Sequence, residues 1–423
     1  MGLPSLQADT ILWMWVQLLT IVAVGRLLGA AARRLGQPRV IGELLAGVLL
    51  GPSLLGWLWP QAATVIAPDD RVAAAPLNAI AWLGVALLLV LTGMETDLVA
   101  VRRLGRPATF IAVGALGLPF AAGLGLGLLV PVSFHGDTAT RVSFALFLAV
   151  ALSISSLPVI ARVLSELGML RSDAGQLILA VAMANDLVGW VALGLVTAVA
   201  QAARPTLADA AILVGGVVLL LILAFTVGQR LVDSALRATA GDDGKGADAG
   251  GLVVAVVATG VLAALAHFAG ADVVIGAYLA GLLLGRSRRF PPSLRRQLEP
   301  LTVTILAPVF FATAGLRLDL TTLASFEALA WAGLVLLVAT VSKVAGAMGG
   351  AALARLDRRD GLVVAVGLNA RGAVEVVIAS VGLATGVLSS TAYTAVVLMA
   401  VLTTVAAPPL LRALRREPAR AVS

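Results

Sequence analysis

Apolar residues fall along this chain in runs of about twenty, parted by short polar turns, and the runs recur from one end to the other. They lie at about 10–32, 40–57, 77–96, 107–130, 140–164, 174–200, 206–228, 250–269, 271–286, 298–316, 327–353, 360–384 and 391–411. The pattern predicts an all-α membrane protein of about 13 transmembrane helices. Runs 40–57 and 271–286 are short, and the boundary near 270 is weak. No polar stretch is long enough for a separate soluble domain, so residues 1–423 read as one transmembrane domain. No basic segment precedes the first run, which reads as a retained helix and not a cleaved signal peptide. The segment 241–250, GDDGKGADAG, reads as a flexible linker with no phosphate or calcium loop.

Composition agrees: 60% of residues are hydrophobic and 13% charged, with a mean hydropathy of +1.02. A soluble chain of this length needs more polar surface. The net charge of +7 would point to nucleic acid in a soluble protein. Here the basic residues cluster between apolar runs, which makes them topological and implies no nucleic-acid partner. Of 30 Lys and Arg, 23 follow odd-numbered runs, beginning with Arg33, Arg34 and Arg39 and ending with Arg412, Arg415, Arg416 and Arg420. Loops after even-numbered runs hold only Arg71, Arg141, Arg204 and Arg317. That alternation places the N-terminus outside and the C-terminus in the cytoplasm of a multi-pass protein of the cell membrane. The chain has no cysteine, which removes disulfides and thiolate metal sites. Its two histidines, His135 and His267, are too few for a histidine metal site.

An internal echo runs through the chain. Residues 40–53, VIGELLAGVLLGPS, match 274–287, VIGAYLAGLLLGRS, at 10 of 14 positions. A second echo joins LTGMETDL (91–98) to TAGLRLDL (313–320). Each pair lies seven runs apart, so the copies cross the membrane in opposite senses. This predicts an inverted-topology repeat of six helices each, about 10–200 and 250–411, joined by a helix at 206–228. Transporters of this design bind substrate near the midplane, where matching helices are interrupted. The fifth run carries Ser153, Ser155, Ser156 and Pro158 in mid-course, and its partner, the twelfth, carries Asn369, Arg371 and Gly372. A simple kink is the alternative for either alone; as a matched pair they mark helix breaks and a site.

Charge inside the apolar runs is sparse. Asp186 lies mid-run beside Asn185. A carboxylate at that depth is a functional candidate, with a structural charge as the alternative. It can take a monovalent cation or a proton but not both, and Asn185, Ser155 and Ser156 could add neutral oxygens. Lys343, one of only two lysines, sits mid-run in a chain that otherwise uses Arg. Lys can release its proton when desolvated. A proton-coupled or charge-compensating role and a structural role toward helix dipoles both stay open. Arg371 and Glu375 stand i,i+4 and read as a structural pair supporting the core. Glu43 falls near the start of the second run, within reach of the interface, and Glu95 and Asp97 end the third run in solvent.

In combination these segments resemble the monovalent cation:proton antiporter-2 family of the sodium/hydrogen exchanger superfamily. That family includes plant cation/proton exchangers and the membrane part of glutathione-gated (Kef-type) potassium efflux systems. The marks are IGELLAGVLLGPSLLG (41–56), ALSISSLPVIARVLSELGML (151–170), AMANDLVGW (182–190), SKVAG (342–346) and GLNARGAVEVVI (367–378). The resemblance implies a homodimer of thirteen-helix protomers with the sodium/proton antiporter fold, in which a core with two crossed, broken helices moves like an elevator. It maps the ion-site acid onto Asn185-Asp186, the family lysine onto Lys343 and the polar residue before the helix-break proline onto Ser156. Many sodium-selective relatives carry two adjacent acids where this chain has Asn185-Asp186; one acid implies electroneutral, one-for-one exchange. The sequence ends at Ser423 without a nucleotide-binding regulatory domain, an expectation against gating by that route.

The expected activity is secondary antiport of K+ or Na+ against protons, with the cation held at Asp186 and no cofactor. A Kef-like K+ efflux channel pathway and a sensor on a transporter scaffold are the rival readings. An enzyme is not expected: an intramembrane aspartyl protease needs two cooperating acids, commonly with a GxGD signature absent here, and a serine hydrolase needs a nearby base.

Overall fold

The structure is a computed structural model that describes residues 8–68, 71–96, 105–201, 207–239, 244–269 and 271–414. Among them there is no strand, and every predicted apolar run carries helix. In chain order the helices are α1 (Ala8–Arg34), α2 (Arg39–Leu50), α3 (Leu55–Leu58), α4 (Pro60–Ile66), α5 (Arg71–Glu95), α6 (Arg106–Leu129), α7 (Arg141–Ser153), α8 (Leu157–Glu166), α9 (Asp173–Gln201), α10 (Leu207–Leu223), α11 (Gln229–Ala238), α12 (Gly244–Phe268), α13 (Val273–Arg286), α14 (Pro292–Leu301), α15 (Ala307–Leu316), α16 (Phe326–Leu353), α17 (Arg358–Leu368), α18 (Ala373–Ala384) and α19 (Ser390–Leu414). Ten helices in the described residues are long and apolar enough to cross a membrane, and the bent pair α17–α18 raises this to 11. The remaining two of the thirteen predicted runs form shorter pieces. The fifth is divided into α7 and α8, and the ninth is α13, only 14 residues long.

Polar residues start several helices where apolar stretches meet turns. Thr140 Oγ1 accepts from the Ser143 amide at the head of α7. Ser325 Oγ accepts from the Ala328 amide at the head of α16, and Asp357 does the same for Arg359 at α17.

The chain divides into two compact units. The first comprises Met1–Ala31, Arg39–Asp97 and Trp190–Thr322. Within it α2 packs on α15 and α13 packs on α5. The echoed glycines sit at these contacts: a Cβ on Gly47 would lie 1.9 Å from the Ala312 carbonyl oxygen, and one on Gly281 would lie 2.1 Å from that of Val90. The shared LAG triplet therefore serves backbone-to-backbone packing in both copies. Glu43, expected at the interface, is only 7% exposed. The close seating of α2 on α1 buries it, with Arg39 and Arg26 as its charged neighbours. Glu95 is half-exposed and pairs with Arg295 at 3.1 Å.

The segment 241–250 also departs from expectation. Residues 244–250 are the first turns of α12, and Asp248 accepts from Ser293 Oγ at 2.5 Å, which ties that end to α14. Residues 241–243 lie outside the described residues, as do Asp97, Arg102, Arg103, Arg204, Arg415, Arg416 and Arg420.

The second unit comprises Ala32–Pro38, Leu98–Gly189 and Leu323–Ser423. Here α16 lies along α6, α6 along α7, and α17 and α19 pack on α16. Gly114 of α6 and Gly346 of α16 meet backbone to backbone; a Cβ on either would come within 2.1 Å of the other's carbonyl oxygen. At one end the α6–α7 link is laced to the α18–α19 link, with the Gly136 amide donating to the Val387 carbonyl at 3.0 Å and the Ser389 amide to that of Phe134 at 3.2 Å. His135 stacks on Phe144 in this strap, ring centroids 4.3 Å apart.

Candidate functional site

Two helices of the second unit are interrupted. α7 stops at Ser153, Ile154 is extended, and α8 begins at Leu157. α17 stops at Leu368, residues 369–372 leave the helix, and α18 begins at Ala373 with a bend of 44°. The breaks touch, the Ser156 amide donating to the Ala370 carbonyl at 3.4 Å. Gly372 has φ 151°, a conformation L side chains rarely adopt, and a Cβ there would lie 2.7 Å from Val159 Cγ2. Its neighbour Arg371 holds its carbonyl against Thr404 Oγ1, which donates to it.

Interrupted helices expose dipole ends, and buried charges meet them. The carbonyls ending α7 face two cations. Lys343 Nζ donates to Ser153 O at 2.5 Å. Arg371 donates through Nη1 to Ala151 O (3.0 Å) and Ile154 O (3.3 Å), and through Nη2 to Leu152 O (2.6 Å) and Ala339 O (3.4 Å). At the opposite pole, Glu375 Oε2 accepts from the Gly372 amide at 2.7 Å and caps α18. Asp186 stands on α9 with the Leu157 amide, at the start of α8, acting on it; its charged neighbours are Glu375 and Lys343. All four charged residues are buried to 1% exposure or less.

The same helices and breaks carry a set of buried polar atoms without partners among the described residues. Both Asp186 oxygens, Asn185 Oδ1 and Nδ2, Ser155 Oγ, Ser156 Oγ, Asn369 Oδ1, Glu375 Oε1 and Ser380 Oγ are buried without a hydrogen-bond partner. Buried polar atoms are rarely left unpaired without a task. A carboxylate among hydroxyl and amide oxygens can hold a hard cation, or a proton in its place. Among the described residues no group of three or more His, Cys, Asp or Glu has the arrangement of a metal centre.

Residues 19–414 match the family model described as "Sodium/hydrogen exchanger, transmembrane". The chain belongs to the sodium/hydrogen exchanger family. It is 30% identical over 407 residues to cation/H(+) antiporter 19 of Arabidopsis thaliana, covering 96% of this chain and 50% of that relative. It is 29% identical to Na(+)/H(+) antiporter NhaS4 of Synechocystis sp., covering 98% of this chain and all of the relative. Against K(+)/H(+) antiporter 1 of Saccharomyces cerevisiae it is 29% identical, over 88% of this chain and 43% of the relative. The chain spans about half the length of the plant relatives it matches (48–50%). Among solved structures it is similar to the sodium proton antiporter MjNhaP1 from Methanocaldococcus jannaschii, with a TM-score of 0.65 and 18% identity over 96% of this chain and 97% of that one. The fold is thus that of a sodium/proton antiporter.

In this sodium/hydrogen exchanger family member, Asp186, Asn185, Ser155, Ser156, Lys343, Asn369, Arg371, Gly372 and Glu375 all lie in the second unit, at the breaks or on the helices around them. Pro158 occupies the second position of α8, and its side chain lies outside the described ones. Arg371 and Glu375 are charged neighbours, but not as a pair on one helix. The two stand on opposite sides of the break, Arg371 before α18 and Glu375 in its first turn, so helical i,i+4 spacing does not apply. Arg371 spends Nη1 and Nη2 on carbonyls, its Nε is buried without a partner among the described residues, and Glu375 caps a helix. Sequence reasoning missed three contributors. The α7 carbonyls that hold the cations carry no signal in a side-chain pattern. Thr404 and Ser380 were hidden in apolar runs that tolerate hydroxyls.

Proposed function

We propose that this protein is a secondary antiporter exchanging a monovalent alkali cation, K+ or Na+, for a proton at Asp186. The observation that carries the reading is the buried Asp186 carboxylate, which no described side chain pairs, with the unpaired oxygens of Asn185, Ser155 and Ser156 beside it and at the start of the facing half-helix. Names of relatives support both ions: the Synechocystis relative is a Na(+)/H(+) antiporter and the yeast relative a K(+)/H(+) antiporter. Protonation of Asp186 expels the cation, and cation binding expels the proton, which is the competition an exchanger needs. Each pH unit of gradient supplies about 1.36 kcal/mol per proton, enough for about tenfold cation accumulation or expulsion. Lys343 and Arg371, fixed on the α7 carbonyls, balance the charge of the site.

In this reading the unit holding Asp186 moves in an elevator fashion between faces of the cell membrane. The two halves, about 10–200 and 250–411, act as inverted repeats. The N-terminus lies outside, the C-terminus is cytoplasmic, and the working form is a homodimer. One proton replaces one cation, so exchange is electroneutral; an electrogenic cycle would be driven by about 2.3 kcal/mol per net charge per 100 mV.

The test is cation-dependent proton flux in liposomes holding purified protein. K+, Na+ or Li+ is added to acid-loaded vesicles and internal pH is followed, with Asp186→Asn alongside. Alkalinisation that depends on the cation and is lost in the variant is the expected result. No proton movement with any cation, or full activity in Asp186→Asn, overturns the reading.

A further inference from the structure

The exchange reading leaves the fully buried Glu375 with no task beyond folding. Glu375 has no exposure, and its two oxygens differ. Oε2 accepts from the Gly372 amide at 2.7 Å, whereas Oε1 is buried and meets no donor. A helix cap does not require this. A neutral oxygen would satisfy the same amide without placing a second negative charge, half unpaired, in the interior.

The nearby cations do not close the gap. Arg371 spends Nη1 and Nη2 on four carbonyls, its buried Nε makes no hydrogen bond to Glu375 or to any other described group, and Lys343 Nζ is held by Ser153 O. The charged groups facing Glu375 are Arg371 on the preceding break and Lys343 from α16, together with Asp186 from α9. The helices packed against α18, α7 and α19, add no Asp, Glu, Lys, Arg or His to this set, since Arg141 and Arg412 lie in their first and last turns.

We infer that Glu375 is a second load-bearing carboxylate of the exchange site, its Oε1 sharing with Asp186 the transported cation or the proton that replaces it. This rests on the exchange reading given above. The charges balance. With Asp186 and Glu375 ionised against Lys343 and Arg371 the cluster is neutral, and either one alkali cation or one proton brings it to +1. In the exchange step the cation leaves and one O–H bond forms on a carboxylate oxygen; nothing is oxidised or reduced. Two acids that share one load titrate as a pair, and each sets the proton affinity of the other.

Glu375→Gln separates this role from capping, because the glutamine oxygen can still accept from the Gly372 amide. It is assayed in liposomes beside wild type and Asp186→Asn, with size-exclusion elution and melting temperature as the folding control. The expected variant still exchanges. Its half-maximal pH moves acid by about one unit, tenfold in proton concentration, because Asp186 loses a like charge. Its apparent KM for the cation at alkaline pH rises about tenfold with little change in kcat, because one anion of the site is gone. A variant with wild-type midpoint and wild-type KM overturns the inference and leaves the exchange reading standing. Wild type that moves no protons removes both.

Infrared difference spectra of Asp186→Asn provide a check that does not depend on Glu375→Gln folding. Adding K+ or Na+ is expected to change one protonated-carboxyl band that cannot come from residue 186. No cation-sensitive carboxyl band in that variant overturns the inference.

Discussion

Lys343 Nζ stands 2.5 Å from the carbonyl oxygen of Ser153, the last residue of the half-helix α7. The ammonium is thereby anchored by backbone and not by an acid, and it compensates Asp186 and Glu375 across space. Lys343→Met leaves two buried carboxylates against one cation. It is expected to lose about 3–5 kcal/mol of stability, the scale for breaking a buried charge arrangement. Thermal unfolding in detergent measures this, and the loss should be partly restored in Lys343→Met/Glu375→Gln, where the charges balance again.

Arg371 joins four carbonyls from two helices, three of them at the end of α7. Arg371→Lys keeps the charge but not the planar fork, so it recovers only part of the contact. We expect Arg371→Ala to cost roughly 3–5 kcal/mol and Arg371→Lys to fall between it and wild type. Denaturation midpoints compared with exposed Arg141→Ala, which should change little, check the order.

Gly372 sits at φ 151° with Val159 close by. Gly372→Ala meets both backbone strain and the Val159 methyl, for a cost of about 1–3 kcal/mol. Val159→Ala in the same chain should relieve the steric part and not the backbone part. A double-mutant cycle in melting temperature separates them; strict additivity would place the cost in the backbone alone.

His135, in the strap between the α6–α7 and α18–α19 links, has its pKa lowered from the ordinary 6.5 by burial and then by Arg141. The folded protein therefore resists protonating it more than the unfolded chain does. Its contribution to stability is complete above about pH 6.5. That contribution is lost as pH falls from there through the lowered folded value. Melting temperatures at pH 7.5 and 5.5 should differ by a few degrees more in wild type than in His135→Gln, and an identical difference would remove the role.

Much of this was legible in the sequence because lipid imposes a coarse code. Apolar run length gives the helices, and rarity of charge in those runs marks Asp186 and Lys343, with Arg371 and Glu375 reading only as a structural pair. Ser155, Ser156, Asn369 and Gly372 read as helix-breaking residues at matched positions. What stayed hidden depends on which way a side chain points. Arg371 and Glu375 look like a helical pair by spacing, but the chain leaves the helix between them and turns them to different partners. Glu43 looked near the interface, yet the close packing of α2 on α1 buries it. The 244–250 segment has the composition of a linker, and Asp248 holds it in a helix through a partner 45 residues away.

The mutual approach of Gly114 and Gly346 has a bearing on the lysine one turn earlier in α16. Each glycine seats the other's carbonyl oxygen in the space a side chain would fill. A sliding or rolling displacement of α16 along α6 would drive those oxygens into main chain, so the two helices are keyed in register. The positive charge of Lys343 is thus located by a notch between two bare backbones, and α16 cannot shift that charge without taking α6 along.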